Sequence, residues 1–127
     1  ATADDMLRIV RETDRENFTV IMDTGQWLGS VGAHPVGESD PNVDIYADYM
    51  EKIAPLAAVV RTKFYKIDRG WEEYIDYKRV IGILKSVDFN GYLSIVYEGQ
   101  QHSDCTDDEA LRLAAKHLRG VLGEAGI

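Results

Sequence analysis

Basic residues are scarce in this chain: against 22 Asp and Glu there are 14 Lys and Arg, a formal net charge of −8 over 127 residues. A field of that sign repels a phosphate backbone, so no nucleic-acid partner is expected without a strong local basic patch. The best candidate, VVRTKFYK, offers only Arg61, Lys63 and Lys66. Cysteine is almost missing, and the single Cys105 excludes an intramolecular disulfide and a thiolate metal cluster. Long apolar runs are missing too. None approaches the roughly 20 residues that a spanning helix needs, so no membrane partner is expected. The opening ATADDMLRIV has neither the basic nor the apolar region of a secretory signal, and the expected setting is the cytoplasm. Low-complexity tracts and sequence repeats are also lacking. The length suits one domain and leaves no room for two.

What is present is an alternation of helical and strand patterns. TADDMLRIVRET predicts a helix with Thr2 as N-cap, Asp5 at N3, and Met6, Ile9 and Val10 as its apolar stripe. NFTVIMD (17–23) predicts a strand, apolar enough to be buried on both faces. A long Gly-rich loop, TGQWLGSVGAHPVGESD, follows it. Asp40 then reads as the cap of a helix with Pro41 at N1 and Ile45, Tyr49 and Ile53 on its buried side. AAVVRTKFYKI (57–67) is the second strand, followed by a polar, hairpin-like excursion, DRGWEEYI, in which Trp71 and Tyr74 read as packing.

Asp76 is placed to cap YKRVIGILKSV, where Val80, Ile81, Leu84 and Val87 recur at helical spacing. GYLSIVYEG (91–99) is the third strand, and its alternation puts Ser94, Val96 and Glu98 on one face. Thr106 and Glu109 form a capping box for the last helix, with Leu111, Ala114, Ala115, Leu118 and Leu122 as its stripe. Strands separated by helices of this length need crossovers, so the strands are predicted parallel. Three parallel strands leave two raw edges, and neither NFTVIMD nor GYLSIVYE carries a charge or proline in its middle to blunt one. A closed (β/α)₈ barrel takes about 250 residues. The chain is therefore expected to be either a small open three-layer fold or a piece of something larger, and not a stable lone monomer.

VIMDTGQW, then VVRTKFYKID, then YIDYKRVIGIL leading into GYLSIVYEG, in that order and spacing from about residue 17 onward, resembles the C-terminal part of the sugar phosphate isomerase/epimerase family. Those proteins are xylose-isomerase-like TIM barrels. The resemblance implies that residues 1–127 form a single partial TIM-barrel domain, carrying the βα units of the last three strands of a (β/α)₈ barrel. In the family, a D-x-x-H on the sixth strand, an H-x-K on the seventh and a Glu on the eighth surround a divalent metal such as Mn²⁺ that polarises a sugar carbonyl. By position, Asp23 falls on the sixth-strand metal ligand and Gln26 where the substrate-binding His stands. Arg61 replaces the seventh-strand His, Lys63 keeps the following Lys, Val96 replaces the eighth-strand Glu, and Glu98 lies two residues beyond it.

These assignments name a candidate site. Glu98, Lys63 and His34 are the catalytic candidates, Gln26, Trp27 and Arg61 the substrate-binding ones, and Asp23 the metal ligand. Each has a plainer reading. Asp23 can be a turn or capping residue, Arg61 and Lys63 can form a salt-bridge network with Asp23 and Glu98, and Glu98 can be a solvated acid at the strand's edge. Trp27 can stack under a sugar ring or pack under its loop. His34 can be a solvent-exposed loop histidine. His102 and Cys105 fall on the same rim, and His117 reads as surface or packing. Arg61 cannot ligate a metal, because its guanidinium is permanently protonated and has no acceptor.

Two functions follow. One is part of, or a subunit of, a sugar isomerase or epimerase that moves a proton next to a carbonyl, completed by a complementary chain or by further copies of itself. The other is a degenerate, non-catalytic barrel subunit that binds an anionic sugar or serves assembly.

Overall fold

A computed structural model describes residues 2–33 and 40–127. Helix α1, Ala3–Thr13, opens with the predicted capping box: the Thr2 hydroxyl accepts from the Asp5 N–H, and the Asp5 carboxylate accepts from the Thr2 N–H. Asp14 ends it in the left-handed region, at φ 46°, a conformation that Asp tolerates. Strand β1 is Val20–Asp23, shorter than the predicted 17–23. The next helix, α2, is built of three turns of different pitch: a π-helical Tyr46–Met50, an α-helical Glu51–Ile53 and a 3₁₀ Ala54–Leu56 with Pro55 inside it. Strand β2, Ala57–Phe64, follows directly. Then come α3 (Tyr77–Ser86), β3 (Tyr92–Tyr97) and α4 (Asp107–Glu124), with Asp76 capping α3 and the Thr106–Glu109 box capping α4 as expected.

Asp40 does not cap α2. Its carboxylate closes a local turn on the N–H and side-chain amide of Asn42, and the cap moves to Asp44, which accepts from the N–H groups of Tyr46 and Ala47. The physical reason is local. Pro41 and Asn42 are spent in the turn, and Asp48 reaches back to the Asp44 N–H, completing a second acid-to-backbone exchange at the true start. Two apolar stripes are also rotated from expectation. In α1 the side turned inward is Ala3, Met6, Leu7 and Val10, and Ile9 is exposed; in α4 it is Ala110, Ala114, Leu118 and Val121, and Leu111 is exposed.

The three strands are parallel in the order β1-β2-β3, which puts the Arg61–Lys63 strand in the middle. Consecutive order with crossovers of one hand places every helix on the same side of a sheet. The burial pattern agrees. Val20, Met22, Val60, Thr62 and Phe64 lie under the helices and are buried, as do the partly covered Leu93, Ile95 and Tyr97. On the other face, Ile21 is 54% exposed and Tyr92 81% exposed, and Arg61 and Ser94 face solvent with them. The described residues thus make two layers, not three. The expectation that NFTVIMD is buried on both faces is corrected at Ile21, because nothing among the described residues covers that side. Most of the core lies between the sheet and α1 to α4, where α1 meets α2, α2 meets α3, and α3 meets α4, and loop residues such as Trp27, Tyr65 and Ile75 extend it.

Candidate functional site

Strand register decides which side chains can meet. Asp23 pairs with Arg61, Arg61 with Ser94, and Lys63 with Val96, so Asp23, Arg61, Lys63 and Val96 all belong to the open face. Along that face toward the C-terminal strand ends, the side chains change from apolar (Ile21, Val59, Tyr92) to charged (Asp23, Arg61, Lys63). Lys63 differs from its neighbours in burial. Although it lies on the open face, its side chain is 2% exposed, because the loop after β1 and Glu98 close over it.

The contacts tie five of the named residues together. The Lys63 ammonium pairs with Glu98 Oε1 and stands 3.8 Å from Asp23 Oδ2. The Arg61 Nε stands 3.8 Å from the same Asp23 oxygen. Gln26 Nε2 donates to Glu98 Oε2 and to the Tyr65 hydroxyl, each at 3.3 Å, and the Tyr65 hydroxyl donates to the Gly25 carbonyl at 3.3 Å. Asp23 Oδ1 accepts the Gly25 N–H at 2.9 Å, whereas its Oδ2 is buried with no hydrogen-bond partner. Burial pushes the Asp23 carboxyl above the ordinary carboxylate range, and the Gly25 N–H, Lys63 and Arg61 offset that only in part. The distances explain why: two cations at 3.8 Å attract the charge but donate no hydrogen bond to it.

The backbone under the site is pinned from the helical side. The Tyr77 hydroxyl, fully buried at the start of α3, donates to the Lys63 carbonyl at 2.6 Å and meets the Thr24 hydroxyl at 3.0 Å. Thr24 in turn accepts the Lys63 N–H at 2.9 Å, so a side chain carries the β1–β2 ladder one step past the end of β1. Glu98 is placed by its own N–H, which donates to the Phe64 carbonyl at 2.9 Å. At Gly99 the chain crosses so close to β2 that a Cβ there would collide with the Tyr65 carbonyl oxygen. Only glycine lets the acid sit at that corner.

Two expected residues stand elsewhere. Trp27 offers no platform to a ligand: it is 6% exposed and stacks on Tyr49 of α2, with ring centroids 4.8 Å apart, so it packs under its loop. His34 lies outside the described residues. On the rim, His102 sits edge-on against Tyr74, its Nδ1 3.5 Å from the Tyr74 hydroxyl. His117 packs edge-on against Phe64 and Tyr77, and burial lowers its pKa. Trp71 is 45% exposed, with the Arg69 guanidinium over its ring.

Three residues that sequence reasoning passed over support the site. Tyr65 continues the 61, 63, 65 alternation of the second strand, and that periodicity was the signal that could have found it. Burial, then the nearby Glu98 charge, raise its phenol well above the ordinary range. Glu72 is buried in the excursion after β2, where Oε2 accepts the N–H groups of Tyr65 and Lys66 and Oε1 that of Tyr74. Burial pushes its carboxyl up to about 7 against those hydrogen bonds. Nothing in GWEEYIDY separates Glu72 from Glu73, because the selection is made by the Tyr65 and Lys66 N–H groups, which lie outside that stretch of sequence. Tyr77 carries no local mark either.

A divalent metal, as the family resemblance implies, does not fit this donor set. Among the described residues no three His, Cys, Asp or Glu side chains converge as ligands. The two carboxylates that face one another, Asp23 and Glu98, have an ammonium between them, and the ladder neighbour of that lysine is Val96. An apolar groove of about 390 Å³ lies elsewhere, between α3, α4 and β3, and is lined by Leu84, Leu93, Ile95 and Leu118. Its lining holds no Asp or Glu. No protein-family model matches the chain, and no curated protein matches it. Among the described residues, no helix is long and apolar enough to cross a membrane.

Proposed function

We propose that this chain is the C-terminal part, or a subunit, of a sugar isomerase or epimerase of the xylose-isomerase-like TIM-barrel type, acting in the cytoplasm on a sugar or polyol by proton transfer next to a carbonyl. One observation carries the reading: Asp23, Gln26, Arg61, Lys63 and Glu98 converge at the C-terminal ends of parallel strands, on the face that helices leave bare. Sites of (β/α) barrels are built at that end. The βα order, the helices on one face and the two unpaired sheet edges support a barrel segment that further strands complete.

The chemistry follows from the groups present. Proton abstraction beside a carbonyl needs a carboxylate base that substrate can reach and a positive group facing the developing oxyanion. Glu98, with its side chain 41% exposed, is the reachable base. Lys63 lies directly behind it, and a substrate oxygen that displaces the Glu98 carboxylate meets the Lys63 ammonium and the Gln26 amide, both of which now donate to Glu98. Asp23, with its raised carboxyl, is the second proton carrier. Arg61, half-exposed beside Asp23, receives an anionic group of the substrate.

The test is a panel of ketoses and inososes, run with the chain alone and with a chain supplying the missing βα units, each with and without added Mn²⁺, Co²⁺ or Mg²⁺. Turnover abolished by Glu98→Gln is the expected result. No turnover in any combination removes the catalytic reading. The second reading, a non-catalytic subunit that binds an anionic sugar, is favoured by Arg61, which puts a permanent cation against Asp23. It predicts that sugar phosphates bind, that Arg61→Ala weakens them, and that Glu98→Gln leaves them unchanged.

A further inference from the structure

We propose that Lys63 is the resident cation of this site, standing where a divalent metal would have to sit and making the site independent of one. The inference rests on reading the Asp23–Lys63–Glu98 cluster as the functional site, and goes beyond that reading by naming the group that supplies its positive charge. Lys63 rises from the central strand, 2% exposed, and its ammonium pairs with Glu98 while lying 3.8 Å from Asp23 Oδ2. Divalent ions bind oxygen at about 2.0–2.6 Å and need most of their ligands to be oxygens. No ion can come that near both carboxylates unless the ammonium leaves.

The surroundings oppose its leaving. The Lys63 N–H and carbonyl are held by Thr24 and Tyr77, so the strand cannot shift to withdraw it. Arg61 adds a second cation at 3.8 Å from Asp23 Oδ2, which repels a third. Val96, the ladder partner of Lys63, presents an alkyl group where a further oxygen would be required. The amine has three donors, and Glu98 accepts from it in the structure, so donors remain for a ligand oxyanion. Asp23 Oδ2, buried and without a hydrogen-bond partner, is the acceptor toward which the amine turns when Glu98 is displaced. The charge of the site is thus fixed by the chain and cannot be lost by dilution or chelation.

The experiment measures Mn²⁺ uptake from the electron paramagnetic resonance signal of free Mn²⁺. It takes the difference between each protein and the same protein carrying Asp23→Asn, which cancels binding by surface acids. The wild-type chain is expected to show no Asp23-dependent uptake. Lys63→Met combined with Val96→Glu removes the ammonium and adds a carboxylate on the same face. It is expected to gain Asp23-dependent uptake at least about tenfold above the wild-type limit.

Circular dichroism confirms folding, and Lys63→Gln takes the place of Lys63→Met if the methionine variant does not fold. Asp23-dependent uptake by the wild type overturns the proposal, and so does a folded double variant that gains none. The result is separable from turnover. A substrate panel without turnover removes the catalytic reading and leaves the resident cation standing, whereas Asp23-dependent Mn²⁺ in the wild type does the reverse.

Discussion

The two faces of this sheet are made by alternate residues of the same three strands, yet they obey different rules. On the covered face, Met22, Val60 and Phe64 have no exposure at all, and even a polar residue, Thr62, is buried with its hydroxyl satisfied by the Ser94 carbonyl. On the open face, apolar side chains of the same kinds stand in solvent at Ile21 and Tyr92, while a charged lysine, Lys63, is enclosed. A side chain's hydropathy therefore does not say which face is core. What separates the faces is the hand of the crossovers, which sends every helix to one side.

The contrast is broken most sharply by Phe64→Ala. Phe64 is fully buried, stacked on Tyr77 at 4.8 Å, and its loss is expected to destabilise the chain by about 3–5 kcal/mol in urea melts. Next comes pH. Glu72 titrates at about 7 in the fold against an ordinary value of 4.5. A raised folded pKa means the protonated form is favoured by folding, so this contribution is full below 4.5 and is lost as pH rises through 7. Its size is on the order of 3 kcal/mol. Melts at several pH values should show a decline from the acid side that Glu72→Gln flattens; equal slopes in the two proteins would remove Glu72 as its source.

Tyr77→Phe keeps the ring stack and deletes the hydroxyl that binds the Lys63 carbonyl and Thr24, at a cost of about 1–2 kcal/mol. It tests whether the covered face holds the charged one in place, and the shift of Lys63 resonances in NMR spectra is its second readout. The smallest effect belongs to Ile21→Ala on the open face, expected within about 0.5 kcal/mol for the chain alone. If complementary strands cover that face, as the proposed function requires, the same substitution becomes several times more damaging in the assembly. If it stays silent in the completed assembly, the open face is not an interior.

Local patterns carried most of the fold. The boxes at Thr2 and Thr106 and the Asp76 cap were legible because a cap is a bargain among neighbours in sequence. Asp40 misled for the same reason: Asp-Pro-Asn reads equally as a turn and as a helix start, and only the reciprocal contact between Asp44 and Asp48 decides between them. The stripes of α1 and α4 were misread because Leu7 and Ile9, two positions apart, and Ala110 and Leu111, adjacent, are all apolar, so hydropathy alone does not say which of each pair turns inward. At the candidate site, strand alternation put Arg61 with Lys63 and gave the face of Glu98, while Asp23 was named by its place at a strand end and by the family resemblance. Alternation was not enough for Trp27, whose partner Tyr49 lies on another element, nor for Glu72 and Tyr77, whose roles come from backbone groups that the sequence does not mark.

Glu98 lies just past the end of β3, with its N–H bound to the Phe64 carbonyl and its carboxylate half in solvent. Its main chain and its side chain therefore keep different clocks. The carboxylate can exchange Lys63 for water on the picosecond-to-nanosecond scale of exposed rotamers, while the amide can exchange its hydrogen only when the junction of two strands opens, which is orders of magnitude slower. An acid that moves fast on a support that moves slowly samples many positions and keeps returning to the same one.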